Sequence, residues 1–161
     1  MVKWLLDRGY DVKLLIGELR DPVSEFSRLL HEKLPGHQST RIMHAPVTSV
    51  EALLAEFVAT DFVVVTRFHN IIFALLNNKP VVSISFHSKC ASLMSDMGLS
   101  EYCLQIDQVE IDELIGKVLY LQKNSHELMA LIASRKEKFR LSLGEQYQLI
   151  VEALGRSTNL V

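Results

Sequence analysis

Cysteine is almost missing from this 161-residue chain. Its two residues, Cys90 and Cys103, form neither a C-x-x-C pair nor another metal-ligand spacing. That excludes a disulfide-stapled scaffold and reads as two reduced thiols in a cytosolic protein, so the cytoplasm is the default location. An excess of one charge is missing too: 17 Lys and Arg against 19 Asp and Glu leave a net −2 and a pI near 6.3. No general attraction to nucleic acid or anionic lipid follows, and any anion binding has to be local to a site. Long hydrophobic runs are also lacking. The best candidates are interrupted by Arg67, His69, Asn77 and Lys79, and none approaches the roughly 20 apolar residues that span a bilayer. Lys3, Asp7 and Arg8 crowd the N-terminus with no small-residue cleavage site behind them, which does not read as a secretory signal.

What is present is a 48% hydrophobic content without linker, repeat or low-complexity segment, which predicts one domain over residues 1–161 with a substantial core. Met1 to Arg8 reads as the end of a helix with Trp4 and Leu5 inward and Gly9 as its stop, followed by a strand from Asp11 to Ile16 closed by Gly17. Asp21-Pro22 supplies an N-cap and a first-turn proline for a helix to His31 with Phe26, Leu29 and Leu30 as its apolar stripe, broken at Leu34-Pro35-Gly36. A strand at Arg41 to His44 leads through Ala45-Pro46 to a helix over Val50 to Ala59 that buries Leu53, Leu54 and Phe57. Phe62 to Thr66 is a strand, a helix follows His69 to Asn77, and Val81 to Phe86 is the next strand. A helix over Ala91 to Met97, a short strand at Cys103 to Ile106, a helix reaching Gln122 and a long one over His126 to Leu154 complete the pattern, with Gly144 as a weak point. This alternation predicts βαβ units: an α/β, Rossmann-like, mostly parallel sheet with helices on both faces. Because the chain opens on half a helix, the expectation is a fragment whose first, central strand lies upstream.

The chemistry-bearing residues cluster at two strand ends. Phe62-Val63-Val64-Val65-Thr66 runs straight into Arg67-Phe68-His69-Asn70, and the strand from Pro80 to Phe86 ends in His87-Ser88-Lys89. The carboxyl edge of an open α/β sheet is where ligands sit, because helix N-termini there offer unpaired N–H groups and a positive field. Arg67 suits an anion through paired N–H bonds, Lys89 adds a point charge, and His69 is the natural general acid or base. The structural alternatives are a salt bridge from Arg67 to Asp61 or Asp96 and a backbone hydrogen bond for His69. His87 is either a ligand contact or a solvated loop residue. Ser83 and Ser85 are expected as core hydroxyls on opposite layers of the sheet. His44, His69 and His87 lack the short paired spacing of zinc motifs, so no metal is expected. The run Arg135-Lys136-Glu137-Lys138 with Arg140 reads as a solvated outer face.

Thr66-Arg67-Phe68-His69-Asn70, then Ala74, Lys79-Pro80 before an apolar strand, Phe86, Lys89, Leu93-Met94 and Gly98-Leu99 together resemble the C-terminal part of polysaccharide pyruvyl transferases, a likeness running from about Trp4 to at least Asp112. The resemblance implies the C-terminal, donor-binding half of a GT-B-like architecture. It implies a transferase that moves pyruvyl from phosphoenolpyruvate to vicinal sugar hydroxyls as a ketal in exopolysaccharide or cell-surface polysaccharide synthesis. By the R-x-H motif, Arg67 and His69 would contact phosphoenolpyruvate, with Phe68, Asn70, His87 and Lys89 around them. No cofactor is expected beyond that donor substrate. The implied partners are phosphoenolpyruvate, a saccharide acceptor and a missing N-terminal domain, with no nucleic acid and no transmembrane span, at closest a position near the inner membrane surface. Phe86 departs from the tyrosine common in the family two to three residues before the lysine, so a hydroxyl role there is absent. Two other readings stand beside this one: the donor half of a nucleotide-sugar glycosyltransferase, for which Glu18 after Gly17 is a faint ribose ligand, and a non-catalytic interaction module left by truncation. The chain alone is expected to show little or no transferase activity.

Overall fold

A computed structural model describes residues 1–15, 23–34, 36–44 and 47–157. Among these residues five short strands alternate with eight α-helices. Helix α1 (Val2–Asp7) precedes β1 (Val12–Leu14); α2 (Val23–Lys33) and the single turn α3 (Gly36–Ser39) lead to β2 (Ile42–His44); and α4 (Val50–Val58) leads to β3 (Val63–Val65). Then come α5 (Phe68–Leu76), β4 (Val81–Ser85), α6 (Ser88–Asp96), a 3-10 turn at Ser100–Tyr102, β5 (Cys103–Gln105), α7 (Ile111–Lys123) and α8 (Ser125–Ser157). Every strand pair is parallel, as the βαβ rhythm predicts. The pairing falls into two sheets, β1-β2 and β3-β4-β5.

The larger sheet carries the main core. Val81 and Val82 of β4 are sealed between Ile71 and Ala74 of α5, Met94 of α6, Val118 and Leu121 of α7 and Ile132 of α8, all nearly inaccessible to solvent. Continuous burial on both faces is what a β-branched central parallel strand requires. The smaller sheet packs Leu5, Leu6, Val12 and Ile42 into a second cluster. Ser49 caps α4 by accepting the Ala52 N–H at 3.1 Å. Among the described residues no helix is long and apolar enough to cross a membrane.

Several expectations need correction, each for a local reason. Helix α6 begins at Ser88 instead of Ala91, because strand β4 stops at Ser85 and leaves His87 extended as the N-cap. Helix α5 likewise starts at Phe68, so His69 lies inside its first turn. Leu53 and Leu54 are only partly buried beside Phe57. Phe26 and Leu29 of the α2 stripe stay exposed, at 49% and 37%. Ser83 and Ser85 are both fully buried and share one face of β4, since residues two apart on a strand point the same way. Gly144 does not interrupt α8. Lys136 is not on a solvated face: its ammonium donates to the Leu76 carbonyl at 3.0 Å and to Asn78 Oδ1 at 2.8 Å, closing the C-terminus of α5. The residues around Gly17, Asp21-Pro22, Pro35 and Ala45-Pro46 lie outside the described residues.

Helix α6 ends in a Schellman turn, with the Gly98 N–H donating to Ser95 O at 2.8 Å and the Leu99 N–H to Met94 O at 2.7 Å. Gly98 sits at φ +74°, and a Cβ there would lie 3.5 Å from Leu131. Gly98→Ala is therefore expected to destabilise the fold by about 1–2 kcal/mol through backbone strain alone, read as a lower urea midpoint.

Candidate functional site

Strands β3 and β4 are parallel with Val65 beside Ser83, so the segments that leave them emerge at the same end of the sheet. Each runs within three residues into a nine-residue helix whose N-cap residue, Arg67 for α5 and His87 for α6, is extended and makes no side-chain capping bond. An arginine cannot accept a hydrogen bond, and neither N-cap offers the side-chain oxygen that normally satisfies the first turn. Two helix N-termini thus present N–H groups and the positive ends of their dipoles side by side.

Between them lies a pocket of about 300 Å³ lined by Arg67, Phe68, His69, Phe86, His87, Lys89 and Cys90. None of these seven is acidic, and four carry guanidinium, ammonium or imidazole groups. The Lys89 ammonium sits 4.9 Å from the centre of the Phe68 ring, a cation–π contact that steadies a flexible side chain at the rim. The Phe68 and His69 rings meet edge to face at 5.8 Å, and the Phe86 and His87 rings tilt together at 4.4 Å. Phe68 and Arg67 are half-buried, while His69, His87 and Lys89 are exposed. The pocket is therefore open to solvent on its polar side and floored by aromatic carbon.

Of the residues singled out from the sequence, Arg67, Phe68, His69, His87 and Lys89 come together here. Asn70 does not line this pocket: it is buried and borders a larger cavity beneath β3, which Arg67 also reaches. His44 ends β2 in the other sheet. Sequence reading missed Ser85, whose hydroxyl donates to His87 O at 2.8 Å and accepts the His87 N–H at 3.2 Å, locking the backbone of the α6 N-cap. The signal was present as serine two residues before a helix N-cap, an arrangement that favours such local loops. Cys90, which lines the pocket, is buried, and burial pushes the thiol of Cys103 up.

The fold is a Rossmann-like α/β fold, with the pocket at the ends of two parallel strands. The family model described as "Polysaccharide pyruvyl transferase" matches residues 1–88, and the chain belongs to that family. The match takes in Arg67, Phe68, His69, Asn70, Phe86 and His87 and ends before Lys89 and Cys90. Searches of curated proteins and of solved structures find no match.

Proposed function

We propose that the chain is the donor-binding, GT-B-like domain of a cytoplasmic enzyme that transfers pyruvyl from phosphoenolpyruvate to a saccharide in surface-polysaccharide synthesis. The observation that carries this reading is a pocket with no acidic lining residue, set between two helix N-termini, within a chain of the pyruvyl transferase family. Phosphoenolpyruvate carries a carboxylate and a phosphate, and Arg67 grips one of them through two parallel N–H bonds. Lys89 and the first-turn N–H groups receive the other. A pocket of about 300 Å³ suits a metabolite of that size.

Ketal formation adds one sugar hydroxyl to C2 of the enol phosphate while the methylene carbon takes up a proton and becomes a methyl group. The second hydroxyl then displaces phosphate at the same carbon. Both steps need a group that gives and takes protons near neutrality, the role assigned to His69. In a preparation that forms ketal, His69→Gln is expected to lower kcat by about 10²- to 10⁴-fold while the Kd for phosphoenolpyruvate moves less than about tenfold. A loss of affinity with kcat intact would make His69 a binding residue instead. The donor itself is tested by titration calorimetry of the chain with phosphoenolpyruvate, UDP and GDP. Saturable binding of phosphoenolpyruvate alone supports the reading, and nucleotide binding without a phosphoenolpyruvate response overturns it.

A further inference from the structure

Ser85, the last residue of β4, is fully buried and does not itself line the strand-end pocket. Its backbone belongs to the sheet: Ser85 pairs with Gln105 of β5, and its carbonyl accepts the Ile106 N–H at 2.9 Å. Its hydroxyl reaches forward along the chain, donating to His87 O at 2.8 Å and accepting the His87 N–H at 3.2 Å. The carbonyl held in this way is the one that opens helix α6, since it also accepts the Cys90 N–H at 3.1 Å. One buried hydroxyl therefore ties the first carbonyl of the helix to the end of the sheet.

The first turn of α6 supplies one side of the pocket. The N–H groups of Ser88 and Lys89 stand too near the helix start to reach a helical carbonyl, so they are left for other acceptors. His87, Lys89 and Cys90 line the pocket, and the Lys89 ammonium lies 4.9 Å from the ring of Phe68 on α5. A rotation of this one turn redirects all of these groups together. Helix α5 has no counterpart to the tie: two residues before its N-cap Arg67 stands Val65, whose side chain can neither donate nor accept a hydrogen bond. Among the described residues, then, only the α6 half of the pocket is fastened to its strand by a side-chain hydroxyl two residues before the N-cap.

We propose that Ser85 is a positioning residue for the bound anion. It holds the first turn of α6 so that the Lys89 ammonium and the Ser88 and Lys89 N–H groups converge on one charged group of the ligand, while Ser85 itself touches no part of that ligand. The identity of the anion, phosphoenolpyruvate, rests on the function proposed above. Without the hydroxyl the turn samples other directions, and ordering it again on binding draws on the affinity.

Hydrogen exchange and titration calorimetry on the whole chain test this, with phosphoenolpyruvate and inorganic phosphate as probes. In the free chain, Ser85→Ala is expected to speed exchange of the His87 amide at least about tenfold and to leave the Phe68 amide unchanged. Equal His87 protection in parent and variant overturns the tie without any ligand. The same variant, with its circular dichroism spectrum kept, is expected to bind phosphoenolpyruvate about tenfold more weakly. Ser85→Cys keeps the size of the side chain but is a weak donor and acceptor, and it is expected to reproduce the loss. Parent-like affinity in either variant overturns the proposal.

A double-substitution cycle separates positioning from general stabilisation. Added to Lys89→Ala, Ser85→Ala is expected to cost less than about threefold more, because the group it positions is gone; added to Arg67→Ala, it is expected to cost its full tenfold. Equal costs in both backgrounds would make Ser85 a general stabiliser and overturn its assigned role. If phosphate binds and phosphoenolpyruvate does not, the donor assignment fails, and the same cycle run with phosphate decides the role of Ser85. Binding of neither anion by the parent overturns both.

Discussion

Arg67→Ala is expected to weaken phosphoenolpyruvate binding about 100-fold, the equivalent of roughly 3 kcal/mol for a charge-assisted, two-bond contact to an anion. The residue lies two positions past strand β3 and is the N-cap of helix α5, so its backbone position is set by both elements while its side chain borders the pocket. Arg67→Lys is expected to recover only part of the loss, because an ammonium keeps the charge without the planar pair of donors. Calorimetry on both variants, with circular dichroism to confirm the fold, is the measurement. Affinity within about threefold of the parent for the alanine variant would take Arg67 out of the binding site. Raising salt is expected to weaken the parent more than the alanine variant, since part of the attraction at an open rim is screened.

The largest effect on stability is expected from Phe57→Ala, at about 3–5 kcal/mol. Phe57 is 1% exposed and meets Phe73 ring edge to face at 6.1 Å, which ties α4 to α5, the helix whose first turn carries His69. It also borders the cavity lined by β1 and β3, so truncation enlarges an existing cavity instead of letting the surroundings close around a new one. Against a typical domain stability of about 5–15 kcal/mol, such a loss removes a large share of the total. A urea midpoint unchanged by Phe57→Ala would mean that α4 contributes little to the folded state. Partial loss of phosphoenolpyruvate affinity in the same variant is expected to track the fraction unfolded.

The lining of the pocket was legible because the pocket depends on where two strands end. A β-branched run followed at once by charged and imidazole residues marks the strand end in one dimension, and parallel pairing of β3 with β4 carries both ends to one rim. The starts of α5 and α6 were harder to read. Propensity alone does not decide whether Phe68 or Ser88 joins the helix, and the choice moved His69 and Lys89 into first turns, where helix fields act on a ligand. Ser85 was readable only as a core hydroxyl, since its two hydrogen bonds with the His87 backbone depend on the chain turning back just there. Lys136 looked like one charge in a solvated run, and only the packing of α8 across the end of α5 gave its ammonium two acceptors.

By itself the amino-acid order determined the α/β class, the parallel direction of the strands, the family and the residues at the strand ends, because each follows from local periodicity or a short run of neighbours. Tertiary structure alone decided that five of the named residues share one pocket while Asn70 borders another cavity. It alone decided too that the described strands pair as two sheets. The physical reason is that edge pairing is a relation between backbones far apart in the chain, such as those of Val12 and Ile42. No local pattern records which edges meet.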